Sequence, residues 1–559
     1  MSIHAAFKRQ PVPGQMALNA NTITLPAPIR GLSLIENWAY TKPGAANFLD
    51  NWVPTQKGLR LRGGTERWCT LPAPVEVVRS GFEYISGTTQ RMFCATATRL
   101  FDISFADTAT LVTGIGTVTN GNFSVAQLAN QGGDFLLAVN DAGDYVRRYD
   151  GSSWQYLNGA FAGTPTKIFM PDGTTPATGL TYVWKYRSRL FFIKGNSMDA
   201  YCLPVNAVGG TLIYIPLSGA AKRGGSLLFG ASWSVDAGDG LDDKCVFVTD
   251  QGEVIVFTGT DPTSTINWAQ QGRYDISRPL GKNGHQQLGG DVLIATVDGA
   301  VPLSACLQKD ISALSLAAIT LPIEPYWMDE MKAKNSFPWL IAKWDEGDML
   351  LINFPGGKVY KNKTVAVSNL NTGAWCRFVG IDAICFMKLR GNMFFGTQDG
   401  KVLQMESTGF DDSHWNDTTN KFDGTQYVCT MVGGWEMFQV PPNQVTWLQA
   451  RAAFFSTAGE PFQPQLAATV NYEFRIPSPP PPGPDPGLLD LWDQGLWDQA
   501  KWDQAMPGQA PAKNTMWVSV GETGFSHAPI CQVTVGQQAK PDVELISIGA
   551  TFVRMGANV

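Results

Sequence analysis

The sequence predicts an all-β fold: a β-propeller of six or seven blades with an appended C-terminal β domain. Composition is the first ground. The 559 residues include 58 Gly and 18 Trp, and only 16% are charged, against about 25% in an ordinary soluble domain. Many glycines and aromatics with few Lys and Glu suit strands joined by tight turns. They exclude a disordered chain or a coiled coil. The second ground is a hairpin pattern that returns at a near-regular interval. The third is length, which asks for two to four units or one large repeat array.

The hairpin unit is a short apolar run, a polar turn containing Gly or Asp, and a second apolar run. Its first copies are Met92-Phe93-Cys94-Ala95-Thr96 with Leu100-Phe101, Phe135-Leu136-Leu137-Ala138 with Tyr145-Val146, and Leu190-Phe191-Phe192-Ile193 with Gly195-Asn196. Val246-Phe247-Val248-Thr249 with Gly252-Glu253-Val254-Ile255 follows. Then come Val292-Leu293-Ile294-Ala295 with Asp298-Gly299, Met349-Leu350-Leu351-Ile352 with Gly356-Gly357, and Met393-Phe394-Phe395 with Asp399-Gly400. Runs of strand formers flanking Gly-containing turns are hairpin signals. The copies start 43, 55, 56, 46, 57 and 44 residues apart, the period of propeller blades. The runs are continuous rather than alternating, as in strands covered on both faces. A large sandwich or barrel of similar hairpins is the alternative arrangement.

Two helices are expected, one over 310–321 with Asp310 as N-cap and Pro322 as stop, and a shorter one over 326–334. The chain then divides into an N-terminal arm (1–30), the propeller (31–424) and a β-rich domain (425–559). The last has strand-like stretches at 426–432, 445–455, 465–474 and 516–520. A Pro-rich run from Pro477 to Pro486 opens an insertion over 477–511, and polyproline geometry makes it a stiff spacer.

A net charge of −6 argues against a dedicated nucleic-acid binder, which carries a basic patch. No apolar run reaches the roughly 18 residues of a membrane helix, and the N-terminus lacks the apolar core of a secretory signal. Folding in a cytoplasm is therefore expected. The nine Cys are scattered without a C-x-x-C pair, which suits buried reduced thiols rather than disulfides or a zinc site.

Inside the insertion, Trp492-Asp493, Trp497-Asp498 and Trp502-Asp503 recur every five residues. Five residues turn a helix by about 140°, so these indoles share no helical stripe. They fit successive turns, each with a Trp anchor and an acidic tip, and are candidate partner or rim contacts. Loop staples on the protein's own surface are the other reading. Enzyme signals are weak: there are four His, no H-E-x-x-H and no G-x-S-x-G. The acidic stretch 236–243 lacks the ligand spacing of an EF-hand loop and reads as a turn. No catalytic, metal or cofactor residue is assigned.

Two stretches carry a resemblance. Asn51-Trp52-Val53-Pro54-Thr55, with Gly58-Leu59-Arg60-Leu61-Arg62-Gly63-Gly64 and the hairpin at 91–104, resembles the opening of tail tubular, or nozzle, proteins of short-tailed bacteriophages. The second runs from Lys222-Arg223-Gly224-Gly225 through Gly252-Glu253-Val254 and Arg278-Pro279-Leu280-Gly281-Lys282-Asn283 to Leu307-Gln308-Lys309-Asp310. It also resembles virion proteins of that tail position. The resemblance covers most of residues 30–559 and implies a non-enzymatic virion protein assembled in the host cytoplasm. It implies a homo-oligomeric ring of six copies below a tail adaptor, docking fibres or spikes. Double-stranded DNA would pass through in transit without sequence-specific binding, into the host envelope. No functional residues are carried over from the family. A phage-borne propeller that binds or cleaves glycans is the alternative, since fold alone does not decide function.

Overall fold

A computed structural model describes residues 20–38, 43–158, 167–234, 243–264, 266–306, 311–334, 338–354, 364–438, 444–456, 464–482 and 512–555. Each of the seven expected hairpins supplies the second strand of an antiparallel blade; the turn expected at Gly356-Gly357 lies outside the described residues. Blade 1 holds Ser80–Ser86, Thr89–Ala95, Leu100–Asp102 and Thr110–Leu111. Blade 2 runs from Phe123–Asn130 to Trp154–Tyr156, blade 3 from Leu180–Tyr186 to Ile213–Pro216, and blade 4 from Leu227–Trp233 to Trp268–Asp275. Blade 5 has three strands, His285–Leu288, Asp291–Thr296 and Gly299–Pro302. Blade 6 runs from Leu340–Trp344 to Trp375–Val379, and blade 7 opens with Cys385–Leu389, Asn392–Gly396 and Lys401–Gln404. Second strands such as Met349–Asn353 are buried along their whole length, which is why their apolar runs do not alternate.

The first strand of each blade lies innermost, and polar side chains tie neighbours together. Ser80 Oγ donates to Gly121 O at 2.6 Å between blades 1 and 2. Ser232 Oγ donates to Lys185 O at 2.9 Å between blades 3 and 4. Trp344 Nε1 reaches Gly391 O at 2.8 Å between blades 6 and 7, and Arg390 N reaches Gln90 Oε1 at 3.1 Å from blade 7 to blade 1. The circle therefore closes at seven blades.

Closure uses a strand that the sequence reading did not single out. Glu66–Thr70 pairs antiparallel with Lys401–Gln404 as the outer strand of blade 7, so one blade is built from both sides of the ring. The propeller, expected from residue 31, takes its first strand at Glu66. Between Ala46 and Leu61 the chain pairs elsewhere. Ala46–Asp50 lies against Tyr427–Gly433, and Leu59–Leu61 against Val543–Arg554. The expected arm contributes Asn21–Pro26 to that last strand as well.

The C-terminal domain is two sheets around these strands. In one, the long strands Val445–Ser456 and Val543–Arg554 pair with each other. In the other, Tyr427–Gly433 and His527–Val535 pair, with Gln465–Val470 at the edge. A single bridge, Asp50 to Arg377, joins the second sheet to blade 6. The apolar core is shared accordingly: Trp447 and Phe454 of the domain belong to one cluster with Trp339 and Leu351 of blade 6 and Phe395 of blade 7.

The helix expected over 310–321 is corrected. Its described part forms short 3₁₀ turns at Ile311–Ala313, Ser315–Ala317 and Leu321–Ile323. The segment spends its hydrogen bonds on blade 5 instead: Ile319 N donates to Ala300 O at 2.9 Å, and Thr320 Oγ1 accepts from Ala300 N at 3.0 Å. It thereby covers the open edge of the three-stranded blade. The shorter helix is present as Glu324–Lys334.

Candidate functional site

Trp492, Asp493, Trp497, Asp498, Trp502 and Asp503 lie outside the described residues, as does the acidic stretch 236–243 except Asp243. The chain leading to the first group is described to residue 482. At its base Trp38 packs edge-on against Phe474 with ring centres 5.6 Å apart, and Trp435 sits 5.1 Å from Tyr472. Thr534 Oγ1 donates to Pro480 O, which holds the Pro-rich run against the C-terminal domain.

The first resemblance-bearing stretch forms a buried polar hub. Asn51 adopts a left-handed backbone (φ 60°), a conformation that Asn tolerates. Its amide donates to Val428 O at 2.8 Å, and its Oδ1 accepts from Arg62 Nε at 3.0 Å and Val379 N at 2.9 Å. Arg62 is 1% exposed. It forks onto Asp411 with two bonds of 2.8 Å and lies 4.1 Å over the Tyr427 ring. Beside it Glu406 receives Arg60 at 2.6 Å, Lys540 at 2.9 Å and Gly63 N at 3.0 Å. Burial opposes ionisation of Glu406, but Arg60 and Lys540 outweigh it and hold the carboxyl at about 2. Gly64 passes so close that a Cβ there would stand 2.0 Å from Phe410 O. This stretch thus ties blade 6 (Val379), the exit of blade 7 (Glu406, Asp411) and the C-terminal domain (Tyr427, Val428, Lys540) into one body.

A cleft of about 890 Å³ opens beside the hub. Its carboxylates face cations: Asp399 and Asp412 meet Lys401 at 3.0 and 2.5 Å, and Asp412 also meets Arg67 at 2.9 Å. These are ion pairs of a seam between blade 7 and the segment that follows it.

The second resemblance-bearing stretch converges in blade 4. The fully buried Glu253 accepts Lys222 N at 2.8 Å and Arg223 N at 2.9 Å, and pairs with Arg273 at 2.5 Å. Burial works against its charge, while the Arg223 and Lys222 amides and Arg273 keep its carboxyl below the usual range. Gly225 has φ +89°, and a Cβ there would meet Asp250 Oδ1 at 2.1 Å.

Lys282, in the last part of that stretch, leaves blade 5 and crosses the propeller mouth. Its ammonium pairs with Asp141 of blade 2 and donates to Thr181 O of blade 3 at 3.3 Å. His285 repeats the crossing one layer deeper. Its Nε2 meets Tyr182 OH of blade 3 at 2.9 Å, its Nδ1 meets Lys282 O at 2.8 Å, and its ring stacks on Phe229 at 3.9 Å. Burial pushes the imidazole down to about 4 against the hydrogen bond it makes to Lys282 O. The neutral ring then donates from Nδ1 and accepts from the tyrosine. The axial channel is bridged at this end.

Sequence reasoning did not find these groups, because the partners lie 31 residues apart at Glu253–Lys222 and 349 apart at Arg62–Asp411. The one available signal was the resemblance, whose stretches contain Arg62, Glu253 and Lys282. Among the described residues no group of three or more His, Cys, Asp or Glu could hold a metal ion. All nine Cys are buried.

No family model matches the chain, and no curated protein matches it. Among solved structures it is similar to YCF48 from Cyanidioschyzon merolae, at 11% identity, covering 61% of this chain and 98% of that one with a TM-score of 0.35. It is similar to Sqt1 from Saccharomyces cerevisiae at 11% identity, covering 66% and 96% with a TM-score of 0.36. The β-propeller domain of Cps50 (Swd1) from Myceliophteria thermophila gives 10%, 61%, 99% and 0.37. Likeness at this level carries no argument about function, and the seven blades stand on their own strand pairing.

Proposed function

We propose that the chain is a non-enzymatic structural subunit of a short-tailed phage virion, one copy of the nozzle ring through which DNA leaves. The observation that supports this reading is the hub. Asn51, Arg60 and Arg62 of the first resemblance-bearing stretch fasten propeller, N-terminal strands and C-terminal domain into a single body, as a part that withstands ejection requires. Acidic net charge is compatible with DNA passing without grip. Ring partners are further copies of the chain, a tail adaptor above, and fibres or spikes at the side, with the host envelope below. Electron microscopy of particles carrying a tagged subunit tests the reading: density for the tag is expected in a ring at the tail's distal end. A chain absent from purified particles overturns it. Deleting residues 485–506 is expected to leave the melting temperature unchanged while lowering the yield of infectious particles.

A further inference from the structure

The sheet built on Val445–Ser456 and Val543–Arg554 has two open edges among the described residues. Asn21–Pro26 pairs with Val543–Arg554 on one side only, and Val518–Gly524 pairs with Val445–Ser456 on one side only. Ala27 N donates to Ile546 O in the register of the first pair, so residues 21, 23 and 25 carry that ladder. Alternation then turns the backbone N–H and C=O of Thr22 and Thr24 toward the open edge. Charge, a common protection of such edges, is sparse: Asn21–Pro26 has none and Val518–Gly524 has Glu522 alone. Beside the second edge Met516 is 88% exposed and Phe525 52%. The register shifts between Trp447 and Gln449, and Gly521 has φ +73°, a bulge of the kind that curves a sheet toward closure.

The outward face of this sheet is lined with hydroxyls. Thr22, Thr551, Gln449 and Ser519 form one row across it, and Thr446 faces Thr523 in the next. Thr24 and Arg451 flank Gly549 in a third row. Arg451 is the one charge in these rows and lies 4.9 Å over the Trp517 ring. The other face is core, shared with blades 6 and 7. Each neighbouring pair among the four strands is antiparallel. Four is even, so the last strand of one copy would meet the first strand of another in antiparallel sense.

We propose that Asn21–Pro26 of one copy pairs with Val518–Gly524 of the next, joining the sheets into one barrel around the lumen. This deepens the nozzle reading and rests on it. Two different edges make a head-to-tail contact, the kind that closes rings. Six copies of four strands, about 4.8 Å apart and tilted as in other barrels, enclose a barrel roughly 35–50 Å across, wide enough for a DNA duplex. The propellers lie on the core side and fit only outside it, so the hydroxyl face turns inward. A wall with so few cations holds passing phosphates weakly.

Cross-linking in particles tests the pairing. A Thr24→Cys/Ser519→Cys chain is assembled into particles, treated with a short bismaleimide and run on a denaturing gel; the nine native Cys are buried. A ladder of multimers up to the closed ring is expected, and neither single variant should give it. Thr24→Pro removes an outward N–H and spares the inner ladder. It should keep the melting temperature within a few degrees and enter particles at least tenfold less. Should it fold poorly, Thr22→Pro serves in its place with the same expected loss. Dimers from Thr24→Cys alone, a cross-link confined to one chain, or undiminished incorporation of a folded proline variant overturns the pairing. A tagged ring seen by microscopy without the ladder overturns the pairing alone, and the nozzle reading stands. A chain absent from particles overturns both.

Discussion

At the scale of single residues, buried charges decide where the protein is vulnerable. Arg62 is buried against Asp411, so truncating it strands a carboxylate at the seam. Arg62→Ala should cost about 3–5 kcal/mol, read as a lower denaturant midpoint. Arg62→Lys should not rescue it, because an ammonium cannot reproduce the two-bond fork. Acid response follows from two groups. His285 is held at about 4 in the fold and titrates near 6.5 when unfolded. The unfolded chain therefore binds the proton first, and stability falls as pH drops from about 6.5 to 4. Glu406 is held at about 2, below its unfolded value near 4.3, so its contribution is present above that value and lost as pH falls toward 2. The His285 limb amounts to about 3 kcal/mol. In His285→Gln the loss of stability between pH 6.5 and 4 should shrink by roughly that amount, measured by urea unfolding across the range.

At the scale of elements, the sequence made the second strands of the blades legible and hid the strand that closes the ring. Val246, Phe247 and Val248 are buried on both faces, so their apolar run declares a strand without knowledge of its partners. Glu66–Thr70 alternates weakly and is only partly buried. Its identity comes from a register with Lys401–Gln404, and no local pattern encodes a pairing over that separation. The same reason conceals Ala46–Leu61 and the hub. The segment after 310 failed as a helix because an unfilled blade edge competed for its hydrogen bonds. The Gly63-Gly64 pair was visible as a motif, but its cause, the approach of Phe410 O, was not. Gly64→Ala should cost about 2–3 kcal/mol through overpacking, measured by thermal unfolding. A larger loss is expected on truncating the chain through Thr70. That leaves the Lys401–Gln404 edge unpaired and should convert a cooperative melt into aggregation in calorimetry and gel filtration.

At the scale of the whole molecule, the bridged axis separates two channels that a ring of propellers would contain. Each propeller has its own axis, and the assembly proposed above has a lumen between copies. Double-stranded DNA is far wider than an opening that one lysine side chain spans, and Lys282 reaches from blade 5 to Asp141 in blade 2. On the proposed reading, DNA would travel the lumen, along outer surfaces of the subunits. Lys282→Met severs the bridge and removes a side chain only 13% exposed. It should lower stability by about 1 kcal/mol, because Asp141 keeps part of its solvent. Ejection from particles built with that variant should proceed at the wild-type rate, followed by dye uptake into released DNA. A faster or slower release, at unchanged particle yield, would place the conduit on the propeller axis instead.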